Sequence, residues 1–277
     1  MAQFTTQDGV QLHYTDEGTG LPLICLAGLT RNSTDFDYLL PHLPPCRAIC
    51  LDYRGRGQSD WADFQSYNIP REAQDVVELM DHLSLDKAAI LGTSRGGLIA
   101  MSLAAMARDR LIGVCLNDIG PEIDEDGLAV IRGYIGRDPM VKTLEEVAEL
   151  RAELMEGFKD VPKSRWMEEA SKHYIVTGDG LKINYDPKLR DALEDAGAQP
   201  MPDLWPLFDE FAGLPLGIIR GDASDILTRE TADRMRARRP DAYFAEIPGR
   251  GHVPFLDEPD ALMVIRNFID ACESKNV

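Results

Sequence analysis

Short, almost uninterrupted apolar runs punctuate the chain at residues 21–27, 47–51, 88–91, 111–116, 214–219 and 243–247, each bounded by Gly, Pro or Asp. Runs of this kind suit strands covered on both faces. Between them the period changes. Val76, Leu79, Met80 and Leu83 fall at the i, i+3, i+4, i+7 spacing of one buried helix face, and Leu98, Met101, Leu103 and Ala105 belong to a more wholly apolar helix. Alternation of strand and helix predicts right-handed crossovers and an α/β fold with a mainly parallel sheet. Asp8-Gly9, between Phe4-Thr5 and residues 10–14, adds an antiparallel hairpin at one edge.

The alternation breaks between Gly120 and Gly213. Stretches such as 143–158 and 164–174 are helical in period and rich in charge, and strand-like sequence resumes at Leu214. This predicts a core built from residues 1–119 and 214–277, carrying a helical insertion, 120–213, as a lid over the C-terminal ends of the strands.

Composition narrows the function classes. The net charge of -18, from 47 Asp and Glu against 29 Lys and Arg, is scattered along the chain and argues against nucleic acid as a partner. The first twenty residues lack the basic start and apolar run of a secretory signal, and no stretch of about 18 apolar residues could span a membrane. A soluble cytoplasmic protein acting on a small molecule is expected, with no pattern that specifies an oligomeric state. Cys25, Cys46, Cys50, Cys115 and Cys272 are expected to be buried thiols, and none forms a C-x-x-C pair, so no metal site is expected.

The strongest local signal is Gly92-Thr93-Ser94-Arg95-Gly96-Gly97, directly after one apolar run and directly before the apolar helix. Small residues on both sides of Ser94 suit a sharp, crowded strand-to-helix turn, and the helix start places free N–H groups and a positive dipole end beside the hydroxyl. Ser94 is therefore the candidate nucleophile. A serine needs an adjacent base. Of the five histidines, His13, His42, His82 and His173 sit in a hairpin, a Pro-rich turn, a helix end and the insertion, where packing or surface roles suffice. His252 lies in Pro248-Gly249-Arg250-Gly251-His252, a glycine-rich loop after the last strand-like run, and is the candidate base.

With these residues, and with Asp52-Tyr53-Arg54-Gly55-Arg56-Gly57-Gln58-Ser59 matching a D-x-R-G-x-G-x-S turn, the chain resembles the α/β-hydrolase superfamily over nearly its whole length. The resemblance implies an eight-stranded, mainly parallel sheet with helices on both faces. It also implies acyl transfer to Ser94 without a cofactor, and an oxyanion hole formed by the backbone amides of Arg95 and Leu29. Many members carry His-Gly where this chain has Ala27-Gly28, which removes a side chain that helps fix that loop. The acid has two candidates. Most members place it after the family's seventh strand, three residues beyond a glycine, where this chain has Ser224 with Asp225 next to it. A minority place it at the end of the sixth, where Asp118 stands. Asp118 is preferred and Asp225 is the alternative.

Arg31, Tyr134, Trp166 and Trp205 are candidates for lining the substrate site, although the insertion's aromatics, Tyr174 and Phe208 included, are first of all its own small core. The expected substrate is a carboxylic ester of small or medium size and rather apolar character. A lactone, a thioester or the C–C bond of a ring-cleavage product are alternatives for the same triad. Members with an Asp nucleophile, the haloalkane dehalogenases and soluble epoxide hydrolases, are set aside because this chain has Ser94. A non-catalytic ligand receptor is the contrasting class, and retention of Ser94 and His252 argues against it.

Overall fold

In the computed structural model, which describes residues 2–155, 157–198 and 202–275, the chain opens on a hairpin of β1 (Ala2–Thr5) and β2 (Gln11–Gly18). Then come β3 (Pro22–Leu26), β4 (Arg47–Leu51), α1 (Ile69–His82), β5 (Ala88–Thr93), α2 (Arg95–Ala107) and β6 (Leu111–Asn117). The chain leaves the sheet for α3 (Glu125–Tyr134), α4 (Leu144–Leu154), α5 (Lys163–His173), a hairpin of β7 (Tyr174–Thr177) and β8 (Gly180–Ile183), α6 (Leu189–Gly197) and α7 (Trp205–Asp209). It returns as β9 (Leu216–Gly221), α8 (Arg229–Arg238), β10 (Tyr243–Ile247) and α9 (Pro259–Lys275).

The main sheet has eight strands in the order β1-β2-β4-β3-β5-β6-β9-β10. The β1–β2 and β2–β4 pairs are antiparallel and the others parallel. Both faces are covered, which is why the strands read as continuous apolar runs. Ile24 and Leu26 of β3 point into the cluster built by α1, α2 and α7, while Leu23 and Cys25 point into the one built by α9 and the segment around Phe36. All five cysteines are free and buried in these layers. No helix among the described residues is long and apolar enough to cross a membrane.

Between β6 and β9 the structure differs from the expected all-helical stretch in two ways. It contains the β7–β8 hairpin, where the β-branched Ile175-Val176-Thr177 meets a Gly-Asp-Gly turn. And α7 packs on α2, with Trp205 and Phe208 inside the large core cluster, so the last part of the segment 120–213 belongs to the core layer. The earlier part has a small core of its own around Val147, Ala170 and Leu181. It touches the loops that follow β3, β4 and β10, through Arg31 to Glu169, Asp186 N–H to Gly55 O, and Lys159 N–H to Gly249 O.

Candidate active site

Ser94 links β5 to α2 with φ 51° and ψ −114°, a left-handed backbone that costs a non-glycine residue strain. The glycines around it permit the crowding. A Cβ on Gly92 would lie 2.5 Å from the backbone of Gly96, and one on Gly96 would lie 2.1 Å from Leu26 O. Gly96→Ala therefore must push α2 off β3, and a loss of about 1–3 kcal/mol is expected in urea denaturation. Wild-type stability in that variant would contradict the close approach.

The Ser94 hydroxyl lies 2.9 Å from His252 Nε2, and His252 Nδ1 lies 2.8 Å from Asp118 Oδ2. Asp118 is fully buried at the end of β6 with φ 56°. Its Oδ1 accepts the Gly221 amide at 2.8 Å and its Oδ2 accepts the Ser224 hydroxyl at 2.7 Å as well as the imidazole. A buried carboxylate with this many donors stays an acceptor, so Nδ1 carries the imidazole proton and Nε2 turns its lone pair toward Ser94. Asp225 is exposed, and no bond joins it to His252. Ser224, at the offset where most members of the resembled family carry the acid, instead helps hold Asp118.

The segments that carry Leu29 and Arg95 meet at Ser94. Gly28, one residue before Leu29, would bring a Cβ to 3.9 Å from the Ser94 Cβ. Around Leu29 the backbone carbonyls are engaged: Ala27 O accepts the Tyr53 hydroxyl at 3.0 Å, Gly28 O accepts the Arg31 amide at 3.2 Å, and Leu29 O accepts Arg56 Nε at 3.0 Å. Among the described residues the Leu29 and Arg95 amides donate to no protein acceptor. Tyr53 and Arg56, both in the D-x-R-G-x-G-x-S turn, thus tie down the loop where His is missing before Gly28. Within that turn Asp52 accepts His13 Nδ1 at 2.9 Å and the amides of Ser33 and Gln58, while Arg54 is paired with Asp75 and Asp8.

Sequence reasoning missed Glu72. It is fully buried and pairs with Arg56 at 2.8 Å and with Arg95 Nε at 2.6 Å. The two guanidinium groups hold its carboxyl below the usual value in spite of burial. A signal existed, because Glu72 stands four residues before Val76 on the apolar stripe of α1.

The other candidates disperse. Trp166 is buried and packs edge-on against Phe158 and Phe255, and the Phe158 ring lies against Gly251 beside His252. Tyr134 is 50% exposed on α3. Trp205 faces away from this group: its indole N–H donates to Glu122 at 2.8 Å, and Arg234 and Arg238 cover the ring. Its apolar body serves α2 and α7, which is why it does not reach the site.

Arg31 is bound into an ionic cluster between the β3 loop and α5. It pairs with Asp35 at 3.1 Å and Glu169 at 3.2 Å. His173, buried on α5, sits 2.9 Å from Asp35 through Nε2 and 3.0 Å from Arg151 Nη1 through Nδ1. Arg can only donate, so Nδ1 accepts and the imidazole is neutral. Burial first, then Arg31, pushes the His173 pKa below 6.5, whereas Arg31 and His173 hold Asp35 down to about 2 against desolvation. In the unfolded chain His173 binds its proton as pH falls through about 6.5, while the folded protein resists it. Stability should therefore decline as pH drops below about 6.5, before Asp35 loses its own contribution below about 4. His173→Gln, which can still accept from Arg151 and donate to Asp35, should flatten the decline in thermal melts between those limits; an unchanged slope would contradict the neutral assignment.

A family model described as "Alpha/beta hydrolase family" matches residues 23–264. The chain is 34% identical over 256 residues to the 3-hydroxybutyrate-oligomer hydrolase of Cupriavidus necator, covering 89% of this chain and 87% of that protein. It is 25% identical over 265 residues to the 2-(acetamidomethylene)succinate hydrolase of Mesorhizobium japonicum, with 95% and 92% covered. The crystal structure of an alpha/beta hydrolase from Novosphingobium aromaticivorans superposes with a TM-score of 0.91 at 35% identity, covering 98% of this chain and 97% of that one.

Proposed function

The chain belongs to the alpha/beta hydrolase family, and from that premise we propose that it hydrolyses carboxylic esters through an acyl-enzyme on Ser94. The observation that carries this reading is the unbroken line of hydrogen bonds from Ser94 Oγ through His252 to the buried Asp118.

In the first half-reaction Ser94 Oγ attacks the ester carbonyl as His252 Nε2 takes its proton, and the Leu29 and Arg95 amides receive the negative charge on the carbonyl oxygen. Collapse of the tetrahedral intermediate breaks the C–O bond. The imidazolium, stabilised by Asp118, protonates the departing alkoxide. In the second half-reaction His252 takes a proton from water, hydroxide adds to the acyl carbon, and Ser94 leaves with the proton returned to it. No cofactor enters either step.

The likeness to a 3-hydroxybutyrate-oligomer hydrolase supports an ester of a short hydroxy acid, and Phe158, Trp166 and Phe255 beside the His252 loop support a rather apolar neighbourhood. The stretch from 120 to the start of α7 acts as a lid over this site, a role supported by its contacts with the loops after β3, β4 and β10. Turnover of a chain-length series of nitrophenyl esters, with the methyl ester of a 3-hydroxybutyrate dimer beside it, tests the reading. Hydrolysis is expected to peak at short acyl chains and to include the dimer ester. Turnover of a thioester or lactone alone would overturn the choice of bond.

A further inference from the structure

The two amides assigned to the oxyanion hole follow paired strands, one in the loop after β3 and one at the start of α2 after β5, and beyond the strand pairing their spacing depends on what ties these two segments together. Arg56 and Glu72 stand between them. Arg56 Nε donates to Leu29 O at 3.0 Å and its Nη1 to Glu72 Oε1 at 2.8 Å, while Glu72 Oε2 accepts Arg95 Nε at 2.6 Å. Arg95 Nη2 also donates to Tyr67 O at 3.1 Å, so the side chain following the nucleophile is fixed at two points. Arg56 and Glu72 are both fully buried. A buried ionic group of this kind costs desolvation that packed apolar residues would avoid, so stability alone is a weak reason to keep it.

We propose that Arg56 and Glu72 are positioning residues that couple the Leu29 loop to the Arg95 end of α2 and so set the width of the oxyanion hole. The proposal rests on the ester-hydrolase reading above. Its physical basis is that a planar guanidinium can hold a carbonyl and a carboxylate in one rigid plane, which a lysine ammonium cannot. A catalytic dipole displaced by a fraction of an ångström loses transition-state stabilisation and leaves substrate binding largely intact.

The test compares wild type with Arg56→Lys, Arg56→Met and Glu72→Gln. It measures kcat and KM on a short nitrophenyl ester, together with inhibition by a trifluoromethyl ketone, whose adduct with Ser94 carries an oxyanion, and by the matching unreactive methyl ketone. All three variants are expected to lose about 10- to 100-fold in kcat with KM within about threefold. The trifluoromethyl ketone should weaken in proportion to kcat/KM while the methyl ketone binds as before. Should these variants fail to fold, Arg95→Met decides. It leaves Arg56 and Glu72 as a one-to-one pair and keeps the backbone amide, and it should lower kcat at least about fivefold with the same split between the two ketones. Full activity in Arg56→Lys, a kcat within twofold of wild type in folded variants, or equal weakening of both ketones would overturn the proposal. Absence of any Ser94-dependent turnover in the wild type would instead overturn the ester-hydrolase reading.

Discussion

Asp118→Asn is expected to lower kcat on the order of 10⁴-fold while leaving the protein folded. The direction follows from the partners of the carboxylate. Oδ1 accepts from the Gly221 amide, a donor that cannot change role, so an asparagine must keep its carbonyl oxygen there. Its NH2 then faces Ser224 and His252. The serine hydroxyl can rotate to accept, but the imidazole can accept at Nδ1 only by moving its proton to Nε2, where the lone pair is needed for Ser94. Asp225→Asn, at an exposed residue with no bond to His252, should stay within about threefold of wild type, as surface substitutions generally do. Steady-state kinetics of the two variants side by side checks the assignment, and the opposite ranking would transfer the acid to Asp225.

Ser94→Ala should cost at least about 10³-fold in kcat and abolish labelling by a fluorophosphonate, with the fold intact because, among the described residues, the hydroxyl's side-chain partner is His252 alone. The backbone adds a second expectation. A residue at φ 51° and ψ −114° stores strain that glycine does not feel, so Ser94→Gly should be equally inactive yet more stable than Ser94→Ala by up to about 1 kcal/mol. Activity within tenfold of wild type in either variant would remove Ser94 from the mechanism.

The sequence made the sheet legible because its strands are covered on both faces. The runs at 21–27, 88–91 and 111–116 coincide with β3, β5 and β6, and the break after Gly120 with the departure from the sheet. The β7–β8 hairpin was written there too, as Ile175-Val176-Thr177 before a Gly-Asp-Gly turn, but its two four-residue strands lie beside charge-rich helices whose longer period dominates the stretch. Trp205 could not be placed from composition, since an aromatic residue serves a lid core and a main core equally well. The acid was ambiguous for a different reason. Asp118 and Asp225 follow neighbouring parallel strands, and what sets Asp118 apart is tertiary: with a left-handed turn at Asp118 its carboxylate lies under the Gly221 amide and 2.8 Å from His252 Nδ1. Glu72 could not be singled out in the sequence because its contacts are tertiary, with Arg56 from the turn after β4 and Arg95 from the start of α2.

Active-site titration of the wild-type protein with a fluorophosphonate tests most directly whether Ser94 is a nucleophile activated by His252 and Asp118. One label per chain is expected, located on Ser94 by peptide mass mapping, with ester hydrolysis lost in proportion to labelling. Undiminished hydrolysis in the fully labelled protein, or a label on a residue other than Ser94, would contradict that role for Ser94.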